Sequence, residues 1–430
     1  MALVTPTFGA DDAPVALFPE PPRIVPNPAV VPVPADAPIP SPAGLQAVLD
    51  PALRNPDLGR FTGTVADAVT GQVLWSSDAD VPMTPASTTK ILTAAAAMMA
   101  LPGDHRMTTQ VVAGDSPGRV VLTGEGDPTL TAEPVGTPGF YDGGARIDDL
   151  VEQIRRSGAT VTSIAVDLGA YSGPTLAQGW FPGDIAGGYI TPIEPIALDG
   201  GRSVPTVDES PRSATPALDA GRALARGLGL DPAVVTEGRA GAGAGSLATV
   251  QSAPLRIRLG QMLSYSDNVL AEAVGREIAV AVGEPASFDG AETAVVETLQ
   301  KNGVDTSGVS LEDTGGLSVD NLIPARVLGE IVTMAAGSGA ETLRPMLDYL
   351  PVAGATGTLA ARYSSGDRTA AGWLRAKTGT LSTASALAGY VIDDSARVLT
   401  FALMSNDLPP EVGRPALDAL ASRLRSCGCE

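Results

Sequence analysis

Residues 83–101, MTPASTTKILTAAAAMMAL, constrain the fold more than any other stretch. Pro85 precedes an apolar run that meets no Gly or Pro until Pro102, so the run reads as a helix. Its side chains are small and apolar on nearly every side, so this helix must be buried with other elements packed around it. Yet it carries Lys90, one of only three lysines (Lys90, Lys301 and Lys377) in 430 residues. A lysine in such surroundings bears a heavy desolvation cost unless it is paired or neutral. Ser87, three residues earlier, shares its helix face and can touch it. Pairing or neutrality would each suit a base that takes a proton from Ser87, and the amides at a helix start favour a negative oxygen. On S-x-x-K alone, a lysine snorkelling from a half-exposed helix fits as well.

Two further elements tip the balance. QMLSYSDNVLAEAV places Ser266, Asp267 and Asn268 where a helix begins; alone, they read as an ordinary cap. AKTGTLSTASALAGYV places Lys377, Thr378, Gly379 and Thr380 at the end of a β-like stretch. Glycine there permits close backbone approach to a ligand, and Lys with Thr suits a carboxylate; alone, a hairpin turn with a solvated lysine is the simpler reading. Together they give S-x-x-K, S-x-N and K-T-G in order, using two of the three lysines. That is the motif set of the penicillin-recognising serine enzymes.

Composition removes competing chemistries. A formal net charge of −20 argues against a nucleic-acid partner and gives no support to docking on anionic lipid. The single histidine, His105 in LPGDHRMTT, reads as a loop residue, which disfavours a Ser-His-Asp triad. One histidine and two cysteines cannot assemble a His/Cys zinc site of ordinary composition. Cys427 and Cys429 read as a frayed tail with two thiols or as a strained local disulfide, with no function attached. No run reaches the eighteen or so apolar residues of a membrane span, and the first residues show no signal-peptide pattern.

The texture along the chain suggests three parts. Residues 1–43 form an extended N-terminal segment, proline-dense from 19 to 43, a semi-rigid spacer. Ser41 caps a short helix to about Arg54, and two strands follow, joined at Thr70-Gly71. Residues 104–247 change character, with a hairpin-like start, two amphipathic helices and a glycine-rich hinge, EGRAGAGAGSLATV. This block reads as an insertion, mainly β. Helices then run from Leu255 to about Ala336, followed by three strands and a last helix. Residues 44–103 with 248–430 therefore form one α+β domain, its first and last strands sharing an antiparallel sheet packed with helices.

The chain resembles the low-molecular-mass class C penicillin-binding proteins, the DacB-type D-alanyl-D-alanine carboxypeptidase/endopeptidases. Besides the three motifs, the 179-residue separation of Ser87 and Ser266 fits the extra sequence inserted in this family, and is far longer than in a compact serine β-lactamase. GEGDPTL (124–130), Gly179-Trp180, EDTGGLSVDNLIPARVL (312–328) and GTLAAR (357–362) also match, so the resemblance spans about 44–405. The Lys-poor, Ala/Gly/Pro/Arg-rich composition suits a high-GC, actinobacterial source.

The resemblance implies a serine β-lactamase/transpeptidase-like fold, an exported enzyme, peptidoglycan stem peptides as substrate and β-lactam antibiotics as acylating ligands. It implies Ser87 as nucleophile, Lys90 as its activator, Ser266 as proton relay and Asn268 as the residue that holds the substrate amide and helps position Lys90, with no metal or organic cofactor needed. Lys377 and Thr378 would bind the terminal carboxylate, the amides of Ser87 and Thr380 would form the oxyanion hole, and Leu381 and Ser382 would line a side-chain pocket. Asp167 would meet the amine of a diamino-acid side chain; as a residue of this sequence it reads equally as a strand-end turn. Val319 stands where many members carry an arginine, which points to an amidated rather than a free carboxylate on the substrate. A serine β-lactamase, with Tyr265 as the one deacylation candidate, a non-catalytic peptidoglycan- or β-lactam-binding protein, and a transpeptidase are the competing readings.

Overall fold

The computed structural model describes residues 34, 36–338, 341–365 and 367–428. Most of the proline-dense segment and Cys429 lie outside them. Five antiparallel strands form the main sheet, in the order Leu374–Leu381, Ala384–Ile392, Val398–Asn406, Arg60–Asp67, Val73–Ser77. First and last strands meet, as the sequence pattern predicts, because Arg60–Asp67 pairs along its whole length with Val398–Asn406.

Alternation along these strands sorts side chains by size. Ala386, Ala388, Ala402 and Met404 face one core, and Leu387, Val391, Leu399, Phe401 and Leu403 face another. The small-residue face lets helix Ala325–Ala336 approach closely; a Cβ at Gly329 would lie 2.5 Å from Thr64 Cγ2. Beyond it, helix Lys90–Ala100 is wrapped by helices Leu255–Tyr265, Asn268–Val282 and Phe288–Lys301, and every residue from Lys90 to Ala97 is buried. The large-residue face takes helices Pro42–Leu53 and Pro410–Arg425. Ser41 caps the first of these, accepting from Gly44 N–H at 3.1 Å. Cys427, just past the last helix, is disulfide-bonded and fully buried in that core.

A second five-stranded sheet holds Ser246–Gln251, Thr108–Ala113, Arg119–Gly124, Ser163–Val166 and Val235–Glu237, in that order. Its last two pairings are parallel, and helices Ile147–Ser157 and Pro216–Leu228 share its apolar core. The glycine-rich stretch is not simply a hinge. Its second half, from Ser246, pairs as a strand with Thr108–Ala113 and carries the sheet to residue 251. Leu247, Ala248 and Val250 contribute side chains to the core, which outweighs the preceding glycines. Between Thr131 and Thr215 the chain is mostly irregular, and it is this part that reaches the main sheet's helices: Ala177, Ile190 and Ile193 pack with Val269, Phe288 and Leu317. Among the described residues no helix is long and apolar enough to cross a membrane.

Candidate active site

Ser87 lies on a 3-10 turn, Ala86–Thr89, and Lys90 opens the α-helix that follows. Backbone crowding sets this turn. A Cβ on Gly316 would fall 2.0 Å from the Ala86 carbonyl oxygen, and one on Gly379 would fall 2.5 Å from that of Pro85. Glycine at both positions lets the 313–318 loop and the Lys377–Thr380 strand close onto the turn. Ala86 itself adopts φ 48°, a left-handed conformation unusual for a residue with a Cβ, one position before the serine.

Lys90 is fully buried, and its Nζ lies 3.0 Å from Ser87 Oγ, 2.6 Å from Asn268 Oδ1 and 2.5 Å from the Gly315 carbonyl oxygen. Burial lowers its pKa; nearby Asp313, Asp267 and Glu272 oppose this, and the amine settles at about 8. A neutral amine has two N–H donors and one lone pair. The two carbonyl acceptors can consume both donors and leave the lone pair for the Ser87 hydroxyl proton.

Ser266, in the left-handed region at φ 61°, ends one helix, and Asp267 caps the next, Oδ1 accepting from Leu270 N–H at 2.9 Å. Lys377, also without solvent exposure, donates to Ser266 Oγ and to the Thr378 carbonyl oxygen, both at 2.8 Å. Burial, then repulsion from Lys90 and Arg362, pushes its pKa well below the ordinary lysine value. Thr378 and Thr358 hydroxyls lie 2.8 Å apart. The S-x-x-K, S-x-N and K-T-G residues thus meet through direct contacts.

They border a cleft of about 670 Å³ lined by Ser87, Ser266, Asn268, Thr378, Thr380, Leu381, Ser382 and Val319. Tyr265 also lines it and is exposed, its ring 5.6 Å from that of Phe140. Asp167 does not join this cleft. It closes strand Ser163–Val166, accepting from Gly169 N–H at 2.7 Å and Ala240 N–H at 2.8 Å and facing Arg239 at 3.3 Å. Its own turn consumes it, which is its strand-end reading. Besides Asp267 of the S-x-N motif, the acids that line the cleft are Asp184, Asp208 and Glu209. No spacing marks them, because irregular chain delivers them. Asp313 was within reach of sequence reading, inside the matching EDTGGLS stretch. Its carboxylate accepts from Gly316 and Ser318 N–H, both at 2.6 Å, from Asn321 Nδ2 at 2.8 Å and from Trp180 Nε1 at 2.7 Å. It therefore shapes the loop that presents the Gly315 carbonyl to Lys90. His105 stands apart from the cleft, its Nε2 3.5 Å from Glu277.

The D-Ala-D-Ala carboxypeptidase 3 (S13) family pattern matches residues 45–213 and 207–427. The chain belongs to that family. It is 55% identical to the carboxypeptidase DacB of Mycolicibacterium smegmatis, across 97% of this chain and 92% of the relative. It is 30% identical to the D-alanyl-D-alanine carboxypeptidase of Actinomadura sp., across 88% of this chain and 84% of that one. The crystal structure of penicillin-binding protein 4 (dacB) from Haemophilus influenzae shares the fold, with a TM-score of 0.71 at 20% identity over 90% of this chain and 98% of that one. The S13 chain described here is accordingly a serine-type D-Ala-D-Ala carboxypeptidase of α+β architecture.

Proposed function

We propose that this S13 enzyme works outside the cytoplasmic membrane, cleaving D-Ala-D-Ala termini or cross-links of peptidoglycan peptides through an acyl-enzyme on Ser87, and that penicillins acylate the same oxygen. The contact that carries this reading is Lys90 Nζ between Ser87 Oγ and two carbonyl acceptors. Neutral Lys90 takes the Ser87 hydroxyl proton as Oγ attacks the carbonyl carbon of the penultimate D-Ala. The Ser87 and Thr380 amides receive the oxyanion. Collapse breaks the C–N bond. The leaving D-Ala amine takes its proton from Lys90 by way of the Ser266 hydroxyl, and water then hydrolyses the ester. Asn268 holds the substrate amide, and Lys377 with Thr378 holds the free terminal carboxylate.

Leu381 and Ser382 bound the side-chain pocket, while Asp184, Asp208 and Glu209 supply the negative charge for an amine that Asp167 is not placed to meet. Val319 itself brings no cation, which fits a diamino acid whose own carboxylate is amidated; the cations that border the cleft are Arg202, Arg212, Arg362 and Arg414. Export follows from the substrate, which lies outside the membrane.

Intact-mass spectrometry after addition of benzylpenicillin tests the reading. A persistent adduct on the wild type, absent from Ser87→Ala, is expected. An adduct on Ser87→Ala contradicts the assignment of the nucleophile. Fast loss of the adduct with turnover of drug would favour a β-lactamase.

A further inference from the structure

We propose that the inserted block belongs to the catalytic apparatus, with Arg202 as a positioning residue whose guanidinium holds the Asp267 carboxylate and so fixes Ser266 and Asn268 against the two lysines. This rests on the Ser87 acyl-enzyme reading. The Arg202 side chain has no solvent exposure and donates from Nη2 to Asp267 Oδ2 at 2.9 Å. Its Nη1 donates to the Tyr141 hydroxyl at 2.9 Å, and that hydroxyl donates to the same Asp267 oxygen at 2.8 Å. The Phe140 ring closes the other side, 3.3 Å from the guanidinium carbon. Asp208 and the Asp199 carbonyl take the remaining donors.

A buried ion pair is weak evidence of added stability, since well-packed apolar residues often do as well. What this pair does is orient. Asp267 stands between the two motif residues, and Ser266 before it sits at φ 61°, a conformation that persists only where its surroundings enforce it. The same block fixes Asn268. Its Nδ2 donates to the Tyr189 carbonyl oxygen at 3.0 Å, which turns Oδ1 toward Lys90. Trp180 makes a third attachment, to Asp313. Both loops around Ser87 are thus anchored from the insertion.

The pair also sets charge. Lys90 faces Asp267 and Glu272 from the S-x-N side, Asp313 from the 312–318 loop and Lys377 from the edge strand. Burial pushes the Asp267 carboxyl up, but Arg202 and Arg212 outweigh it and hold it at about 2. Tyr141 packs beside it and Asp208 lies across Arg202. Removing Arg202 leaves the Asp267 anion with Arg212 as its remaining cation, less neutralised than before, and favours the Lys90 ammonium; removing the Asp267 charge does the reverse.

The test is the second-order rate of acylation by a fluorescent penicillin, from pH 5.5 to 10, on the full-length chain with a thermal melt for each variant. Arg202→Gln should lose about 100-fold, the scale of a small misplacement in a catalytic site, with its acid limb moved up. Asp267→Asn should move the limb down. The double variant should lose less than the product of the single losses, because the two groups act together. Arg202→Lys should recover part of the rate. If Arg202→Gln does not fold, Tyr141→Phe carries the test, with an expected loss of about fivefold and a limb moved toward higher pH, as for Arg202→Gln, because Asp267 loses a hydrogen bond to its anion. A folded Arg202→Gln, or failing that a Tyr141→Phe, with the wild-type rate and limb overturns the proposal. Equal single losses with unmoved limbs and additive effects overturn it too. Wild type that is never acylated on Ser87 fails the underlying reading instead.

Discussion

Lys90, at the start of the central helix, and Lys377, on the edge strand of the main sheet, are both fully buried and both depressed in pKa, yet their surroundings differ in kind. Lys90 has two carbonyl acceptors and three carboxylates, those of Asp313, Asp267 and Glu272, near enough to offset burial in part. Lys377 has a hydroxyl and a carbonyl, and its electrostatic neighbours are cations, Lys90 and Arg362. Among the described residues no carboxylate pairs with it. One site is balanced so that a lysine can shed and regain a proton near neutrality. The other is left short of negative charge until an anion arrives, so an incoming carboxylate is the partner it lacks. In the proposed mechanism the same residue type, equally buried, serves as a base in one place and as an anion receptor in the other.

Replacing each lysine by methionine is the strongest way to break this contrast. Lys90→Met removes the base and should cost about 10⁴-fold in acylation, at the upper end of what general-base catalysis contributes. In the wild type the acylation rate should rise with pH through about 8, where Lys90 loses its proton. A flat profile across that range would remove Lys90 from the role of base. Lys377→Met should cost about 100-fold in kcat/KM for peptides with a free terminal carboxylate, and little for the same peptides ending in a carboxamide. Equal losses on both would show that Lys377 does not read the carboxylate.

Gly379→Ala sharpens the comparison at the backbone between the two sites. Its Cβ would meet the Pro85 carbonyl oxygen at 2.5 Å, so the strand must part from the serine turn. Acylation should fall about tenfold in a chain that still melts cooperatively. An unchanged rate would mean that the contact tolerates displacement.

The smallest effect concerns Glu272, one of the anions near Lys90. Burial and then Asp313 push its carboxyl up to about 7. A carboxyl whose folded pKa is raised stabilises the fold below its unfolded value near 4.5, and this contribution fades as pH rises through about 7. Glu272→Gln should therefore flatten the decline in melting temperature between pH 5 and pH 8. An identical decline in both proteins would show that Glu272 does not titrate there.

How much of this was legible in the chain depended on whether a signal was local. Ser87 and Lys90 declared themselves because a lysine in an apolar helix has few physical explanations. The strands around Gly379 declared themselves by period and turn residues. For Asp167 two sequence readings stand level, because a strand-end aspartate looks alike whether it faces a substrate or its own turn; its contacts with Arg239 and the Ala240 amide are those of the turn. The glycine-rich stretch concealed the strand at 246–251 because pairing with Thr108–Ala113 lies more than a hundred residues away in sequence.

The sequence by itself determined the central buried helix, the three motifs, the antiparallel sheet and, with them, the serine chemistry, since each rests on residues a few positions apart. Only the tertiary structure decided which carbonyls take the Lys90 protons, which acids border the cleft, and that Arg202 grips Asp267. Those are meetings between segments with no common period or spacing, and their geometry is fixed by packing across the whole chain.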